Sequence, residues 1–287
     1  MTPDTVSQRR FAVVTDSTAD IAPELALERG IRVVPLAVTI DDETFLDGTL
    51  TQEEFFERMR SAPDLPTTSQ PSVGAFVEVY DRALETADSV ISLHISSKLS
   101  GTAAAARVAA RQFDGKIHVF DSRNLSWGLA WQVIDAVAAA REGLTVPEAL
   151  DRLARTRDRV KLLVSLDSLE NLRRGGRIGA VSSLLGSLLN LKISLTVDAD
   201  GAFAPVGRSR GDRAAVEAVY DWISEQMGPA RAGRFAVGHA LSAGRAQQLA
   251  DGIRARWNVT ELVMYEAGSV VCTHTGTVRG VAVWPEG

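Results

Sequence analysis

The sequence predicts an α/β fold arranged as two domains, on three observations. Short apolar runs rich in β-branched residues alternate with longer stretches of helical periodicity, which is typical of βαβ units and a mainly parallel sheet. The chain has 287 residues, which is about two domains' worth of sequence. Its hydrophobic content of 45% is enough to fill real cores. No repeat of solenoid period is evident in the sequence.

Each predicted strand is a short apolar run that ends at charged or turn-forming residues. The β-branched side chains in these runs suit a pleated, half-buried surface. The predicted strands are Phe11–Thr15, Ile31–Ile40, Ser89–Ile95, Lys116–Phe120, Lys161–Ser165, Lys192–Val197, Phe235–His239, Glu261–Tyr265 and a last one near Gly280–Trp284.

Helices are predicted between these strands, where apolar residues recur every three or four positions. Thr51 with Glu54 matches a capping box at a helix start. A helix followed by a new strand near residues 157–160 predicts a boundary between an N-terminal domain, 1–158, and a C-terminal domain, 159–287. The other predicted helices are Pro71–Thr86, Ser100–Phe113, Ser126–Glu142, Val146–Thr156, Arg210–Met227 and Ala243–Trp257.

Composition excludes several classes of function. A net charge of −5 provides no overall basic field for nucleic acid. The single cysteine, Cys272, excludes an intramolecular disulfide and a CxxC metal site, which fits a reducing cytoplasm. The N-terminus lacks the apolar stretch of a signal peptide. The longest apolar segment, Ile178–Val197, contains Lys192 and divides into a helix and a strand, so we expect no transmembrane span. No bound metal is expected either.

Four polar stretches follow predicted strands, where ligands collect in open α/β sheets. The first three also fit ordinary turns and helix caps. A helix start nevertheless favours an anion, because its backbone N–H groups are unpaired. His274, in the fourth stretch, lies among small and hydroxyl residues, which suits a donor to a carboxylate or phosphate. The stretches are Thr15–Asp20, Leu65–Ser72, Ser96–Thr102 and Gly268–Gly276.

Six motifs, in order along nearly the whole chain, resemble those of the DegV family. These are bacterial fatty-acid-binding proteins that act as the acyl-carrying subunit of fatty acid kinase. The resemblance implies two α/β domains, with a mainly parallel sheet in the first and a mixed sheet in the second. The motifs are VVTDSTADI (13–21), TTSQPS (67–72), HISSKLSGT (94–102), VFDSRNLSWG (119–128), SLENLRRGGRI (168–178) and THTG (273–276).

The resemblance also implies a ligand and its contacts. A long-chain fatty acid, with no further cofactor, is expected to lie in a buried tunnel with its carboxylate at Thr68, Ser97 and His274. Ser96 and Ser100 are alternative serine ligands. Arg177 and Arg210 match arginines that assist phosphotransfer or contact the kinase subunit. The tunnel candidates are Leu163, Leu184, Leu185, Leu188 and Ile193.

One departure from the family pattern follows His274. The segment Thr277–Gly280 is shorter than is common in the family and places Arg279 there, so we expect an altered headgroup pocket or kinase contact. The expected partners are the fatty acid and a separate ATP-dependent kinase subunit, with transient membrane contact and without nucleic acid.

Two other functions fit parts of the sequence. A serine hydrolase would use Ser97 with His274 and recruit Asp16 or Asp121 as the third group. A phosphosugar- or dihydroxyacetone-binding domain shares the α/β layout and a histidine site, but its small polar ligand does not require the apolar wall at Val181–Leu191. The motifs GxxxxGK[ST], GxSxG and HExxH are all missing from the sequence.

Overall fold

The computed structural model describes residues 9–184 and 191–286. The strands of its first half are β1 (Arg9–Asp16), β2 (Ile31–Val34), β3 (Ala37–Ile40), β4 (Glu43–Leu46), β5 (Thr67–Ser69), β6 (Ala87–His94) and β7 (Ile117–Asp121). Those of its second half are β8 (Lys161–Leu166), β9 (Leu191–Val197), β10 (Phe203–Arg210), β11 (Ala232–His239), β12 (Asn258–Glu266) and β13 (Val278–Glu286).

The helices lie between these strands, as the alternating pattern predicts. They are α1 (Pro23–Arg29), α2 (Gln52–Ser61), α3 (Val73–Leu84), α4 (Thr102–Ala110), α5 (Ser126–Arg141), α6 (Val146–Arg159), α7 (Glu170–Arg174), α8 (Gly211–Met227), α9 (Ala243–Arg256) and α10 (Ser269–Thr275). The predicted capping box at Thr51 is confirmed, because Thr51 and Glu54 exchange side-chain and backbone hydrogen bonds at the start of α2.

Three sheets form, and their topology confirms the predicted fold class. The first has the order β2-β1-β6-β7 and is parallel throughout. A small antiparallel sheet, β4-β3-β5, stands beside it. The third sheet has the order β10-β9-β8-β13-β11-β12 and is mixed, since only β11 and β12 pair in parallel.

Several strands differ from the sequence prediction. The predicted strand Ile31–Ile40 is two strands in two different sheets, separated by Pro35, which cannot donate a ladder hydrogen bond. Thr67–Ser69, predicted as part of a loop, is an edge strand paired with β3. Strands β4 and β10 were not predicted, because most of their residues are exposed and lack an apolar pattern.

In the segment after Ile178, where the sequence predicts an apolar helix, Gly179–Leu184 forms a 3-10 helix. Leu185 and Leu188, two of the tunnel candidates, lie outside the described residues.

A single hydrophobic cluster extends from the first sheet to the third. Helix α5 lies at its centre and is buried on nearly all sides, with Trp127 packed edge-on against Trp131. A separate cluster fills the space between the opposite face of the third sheet and helices α8 and α9. The two faces of the third sheet are therefore both covered, one by the central cluster and one by these helices.

Candidate functional site

Thr68 and His274 meet where strand β5 passes helix α10. Thr68 Oγ1 lies 2.8 Å from His274 Nε2, within hydrogen-bonding distance. Both side chains are partly buried. The sequence places the two residues far apart, and the edge position of β5 brings them together. A hydroxyl and an imidazole at this spacing can bind the two oxygens of one carboxylate.

His274 is held in its neutral form. Burial lowers the pKa of its imidazole to about 4, and the positive charge of Arg177 adds to this effect. Its Nδ1 has no hydrogen-bond partner among the described residues. Gly175 lies so close to this atom that a Cβ at residue 175 would overlap with it. Gly175, the first glycine of the motif SLENLRRGGRI, thus leaves space for the histidine ring.

Arg177 connects the histidine to the serine-rich loop. Its Nη1 donates to the carbonyl of Gly175 at 2.7 Å, and its Nε donates to the carbonyl of Leu99 at 3.3 Å. Both bonds go to backbone oxygens, which fixes the guanidinium beside His274. Arg177 therefore lies close to His274, and its expected role in phosphotransfer or kinase contact stays a prediction.

The three candidate serines of the loop Ser96–Ser100 lie in different surroundings. Ser96 is fully buried and donates to the carbonyl of Gly201 at 2.7 Å, so it ties the loop to the β9–β10 turn. Ser97 is exposed, and its backbone N–H donates to Asp121. Ser100 is partly buried, with its Oγ 2.8 Å from Thr102 Oγ1 at the start of α4.

The loops that carry Thr68 and the serines are in direct contact. The amide of Gln70 packs against Gly101 so closely that a Cβ at residue 101 would overlap with it. Gly101 is the N-cap residue of α4 and provides no side-chain cap. The start of this helix, where the N–H of Thr102 donates to Ser100 Oγ at 3.3 Å, therefore lies beside the loop after Thr68. Sequence analysis did not identify Gln70 as a contact between the two loops.

The remaining arginines lie away from the imidazole. Arg210 is exposed at the end of β10, directly before α8. Arg279 lies within β13 and donates to Asp212 of α8 at 3.3 Å, on the face of the third sheet that α8 and α9 cover. The expectation that Arg279 alters the headgroup pocket is therefore wrong for direct contact, because strand alternation turns it away from α10.

The tunnel candidates divide between the two faces of the third sheet. Ile193 is fully buried in the central cluster, and Leu184 packs against that cluster. Leu163 belongs to the cluster under α8 and α9 instead. Leu163 and Ile193 thus face opposite sides of the third sheet, because residues 163 and 166 on β8 point to opposite faces and Ile193 is paired with Leu166. The tunnel role expected for Leu163 stays a prediction.

The stretch Thr15–Asp20 forms the cap that its sequence predicts. Asp16 Oδ1 accepts the backbone N–H of Thr18 at 3.1 Å, at the start of a short 3-10 helix. Its Oδ2 lies 2.9 Å from His94 Nδ1, and His94 Nε2 lies 2.6 Å from Ser92 Oγ. This Asp-His-Ser arrangement is fully buried, so it stabilises the core between β1 and β6 and is closed to substrate.

The proposed hydrolase triad does not assemble. Asp16 is bonded to His94, and Asp121 accepts backbone N–H groups from Ser97 and Arg123. Because neither carboxylate is bonded to His274, the imidazole lacks the third group that would orient it as a base.

A second buried carboxyl was not identified from the sequence. Asp20 Oδ1 accepts the backbone N–H of Gly268 at 3.0 Å, and its Oδ2 accepts the hydroxyl of Ser126 at 2.5 Å. Burial raises the pKa of Asp20 to about 8 despite these bonds, and the nearby charges of Asp47 and Asp16 contribute. Asp20 is thus protonated at neutral pH and joins the first half of the chain to the β12–α10 connection.

Two of the cavities among residues 9–184 and 191–286 lie near buried polar groups. One, of about 820 Å³, lies beside Asp20, Trp127 and Tyr265, and the other, of about 420 Å³, lies under α8 and α9. Neither is lined by Thr68 or His274 in the part of the chain that the structure describes. The same part contains no group of three or more His, Cys, Asp or Glu placed to hold a metal. None of its helices is both long enough and apolar enough to cross a membrane.

Comparison with known proteins identifies the family. The profile of the DegV family, described as "Uncharacterised protein, DegV family COG1307", matches residues 10–286. A DegV domain-containing protein of Deinococcus radiodurans is 39% identical over 283 residues, which cover 96% of this chain and 98% of that protein.

Solved structures match the fold over nearly the whole chain. A DegV family protein of Thermus thermophilus, described by its fatty acid binding, superposes with a TM-score of 0.90 at 35% identity and covers 96% of this chain and 100% of that one. The fatty acid kinase (Fak) B3 protein of Streptococcus pneumoniae, loaded with linoleic acid, has the same fold, with a TM-score of 0.85 at 22% identity over 96% of this chain and 99% of that one. The chain belongs to the DegV family.

Proposed function

We propose that this chain binds a long-chain fatty acid with its carboxylate at Thr68 and His274. The observation that carries the proposal is the 2.8 Å approach of Thr68 Oγ1 to His274 Nε2 at the edge of a large apolar cluster. The fatty acid binding described for the Thermus thermophilus relative supports the choice of ligand. Ser100 and Ser97, on the neighbouring loop, are the candidate additional donors, whereas Ser96 is already bonded to Gly201.

The acyl chain is proposed to lie within the central cluster behind this pair. Val38 is the register partner of Thr68 on β3, and Val271 lies on the same helix as His274, so apolar side chains begin directly at the headgroup. Ile193 and Leu184 belong to this side of the third sheet. Burying about 14 methylene groups at roughly 0.8 kcal/mol each gives an upper bound near 11 kcal/mol before ordering costs. A small polar ligand such as a phosphosugar would gain nothing from this wall.

The headgroup site would bind the carboxylate without neutralising it. Thr68 offers a neutral hydroxyl, and His274 remains a neutral imidazole because its pKa is about 4. Arg177 is held by the carbonyls of Gly175 and Leu99 rather than aimed at Thr68. Neutral hydrogen bonds position a carboxylate while leaving charge on its oxygens, which keeps it a competent nucleophile toward phosphorus.

The chain is further proposed to present the bound acid, in the cytoplasm, to a separate ATP-dependent kinase subunit. A carboxylate oxygen would attack the γ-phosphorus of ATP, with ADP as the leaving group and an acyl phosphate as the product. The kinase named for the Streptococcus pneumoniae protein of the same fold motivates this step. Arg177 and the exposed Arg210 are the proposed contacts for the kinase or the transferred phosphoryl group.

Mass spectrometry of organic extracts from the purified, denatured protein tests the ligand. We expect a stoichiometric long-chain fatty acid. Thr68→Val and His274→Gln should each weaken retention of oleate about tenfold, the cost of a charge-assisted hydrogen bond. Thr44→Val and His118→Gln are matched controls, on the same small sheet and on β7 respectively. Recovery of no fatty acid, together with no tight binding of added oleate or palmitate, would contradict the proposal.

The kinase step has its own test in a reconstituted phosphorylation assay. Arg210→Gln should lower acyl phosphate formation while leaving oleate binding unchanged, because Arg210 is exposed outside the headgroup pair. Arg231→Gln, which removes another exposed arginine, is the control. Equal rates for both variants would remove Arg210 from the kinase contact.

A further inference from the structure

A second cavity lies on the face of the third sheet opposite the proposed acyl site. It has a volume of about 420 Å³, opens to the surface and is lined by residues of strands β8 and β13 and helices α8 and α9. This size is within the range of small-molecule sites. Strand alternation places Leu163 and Ser165 of β8 in its floor, whereas Leu162 and Leu166 face the central cluster.

One wall of the cavity is apolar and continuous. Leu163, Val219, Leu249 and Val281 line it and belong to the cluster under α8 and α9. Such a wall binds hydrocarbon and gives no affinity for a free inorganic ion.

Beside these apolar side chains, the floor of the cavity holds a buried hydroxyl with no partner among the described residues. Ser165 is only 5% exposed, and its Oγ has no hydrogen-bond partner among the described residues. Ser194, its register partner on β9, is 3% exposed and likewise has none there. Burying a polar group without a hydrogen bond costs free energy of folding. A ligand that supplies an acceptor to the Ser165 hydroxyl removes this cost and binds more tightly as a result.

Positive charge exceeds negative charge around this hydroxyl. Four arginines line the cavity, Arg213, Arg245, Arg256 and Arg279, against the two carboxylates of Asp212 and Glu217. Arg279 is the register partner of Ser165, and only 14% of its side-chain surface is exposed. It shares Asp212 with Arg245, at 3.3 and 3.0 Å respectively, whereas Lys192 lies closer to Asp167, at 2.5 Å, than to Asp212.

Taken together, a partly buried guanidinium and a neutral donor lie beside apolar side chains in one small cavity. We propose that this cavity is a second ligand site, which takes a small organic anion with a hydrocarbon body and a phosphate or carboxylate headgroup at Arg279 and Ser165. Arginine suits both headgroups, because its fork of N–H donors matches their paired oxygens. The site is separate from the Thr68–His274 pair, and this proposal does not depend on fatty acid binding at that pair.

Titration calorimetry on protein loaded with one equivalent of oleate and freed of excess lipid tests the proposal with the first site filled and the second cavity open. Hexyl phosphate and hexanoate distinguish the two headgroups, hexanol lacks the charge, and inorganic phosphate lacks the hydrocarbon. We expect one of the two amphiphilic anions to bind at one site per chain, at least about tenfold more tightly than hexanol or inorganic phosphate. Absence of binding by both anions, or equal binding of hexanol or inorganic phosphate, would overturn the proposal.

Variants locate the binding and separate it from a structural role. Ser165→Ala and Arg279→Gln should each weaken the anion about tenfold. Arg254→Gln is the matched control, because Arg254 is on α9, pairs with Asp251 and does not line the cavity. Arg279→Lys, which keeps the charge and loses the fork, is a second variant should Arg279→Gln fold poorly. If Ser165→Ala raises the melting temperature and leaves the titration unchanged, the hydroxyl is an unliganded defect and the proposal is wrong.

Discussion

The hydroxyl of Thr68 lies 2.8 Å from Nε2 of His274, although 206 residues separate them. One partner is on an edge strand of the small antiparallel sheet, and the other is on the short helix before β13. Their hydrogen bond therefore depends on how the two halves of the chain pack together. Perturbing either the ring position or its protonation should change both stability and ligand retention.

Gly175→Ala should displace the imidazole of His274. The added Cβ would overlap with Nδ1 and would come within 2.9 Å of the backbone carbonyl of Asn171, which cannot move freely. We expect oleate retention to fall about tenfold and the protein to lose about 1–3 kcal/mol of stability from overpacking. Thermal unfolding and lipid retention are measured in parallel. Gly244→Ala, where a Cβ meets nothing within 4 Å, should leave both quantities unchanged. If Gly175→Ala also changes neither stability nor oleate retention, the inferred position of the His274 ring is wrong.

The neutral state of His274 predicts a loss of stability in acid. Its folded pKa of about 4 lies below the ordinary value of 6.5, so between these values the unfolded chain binds a proton that the folded chain does not. The stability that neutral His274 contributes is present above pH 6.5 and is lost as pH falls toward 4. In urea unfolding at several pH values, His274→Gln should show a shallower decline than the parent. Parallel curves for the two proteins would show that His274 does not titrate in this way.

Asp20 predicts the opposite slope. Its folded pKa of about 8 is above the ordinary value of 3.8, so the folded chain holds a proton that the unfolded chain releases between these values. Its contribution to stability therefore declines as pH rises from 4 to 8. Asp20→Asn keeps an acceptor for the N–H of Gly268 and cannot ionise. We expect it to flatten the slope between pH 5 and 8 by up to about 1.4 kcal/mol per pH unit.

The control for Asp20 is Asp88→Asn, an exposed carboxyl on β6. Its substitution should leave the slope unchanged. An Asp20→Asn variant with the parent slope would show that Asp20 is ionised in the folded protein.

Ile193→Ala and Leu163→Ala form a matched pair across the third sheet. Both side chains are almost completely buried, so each truncation should cost about 2–5 kcal/mol. Only Ile193 faces the central cluster, so only its truncation should enlarge the proposed acyl site and admit longer or branched chains. Mass spectrometry of the extracted fatty acids measures the change. A profile that shifts equally in Leu163→Ala would contradict the placement of the acyl chain.

The fold class was accessible from sequence because its signals are local. Alternating apolar runs and helical periods are repeated within each segment, and the capping box at Thr51 requires only residues three apart. The exposed strand β10 and the divided strand at Pro35 were missed, since pairing partners rather than local pattern decide whether such segments become strands.

The candidate site was only partly accessible in the same way. Family resemblance singled out Thr68, His274 and the serine loop, and the structure brings Thr68 and His274 together. The resemblance could not indicate that Ser96 is bonded to Gly201, or that Leu163 faces α8. Both depend on which side of a strand or loop meets the rest of the chain.

The sequence by itself determined the alternation of strands and helices, the family, and the residue types available to bind an acidic headgroup. The tertiary structure alone decided which residues meet, and it set their charge. His274 is neutral and Asp20 is protonated because packing removes both from water, and desolvation is a property of the assembled fold. The cavity at Ser165 and Arg279 likewise exists only once β8 and β13 pair beneath α8 and α9.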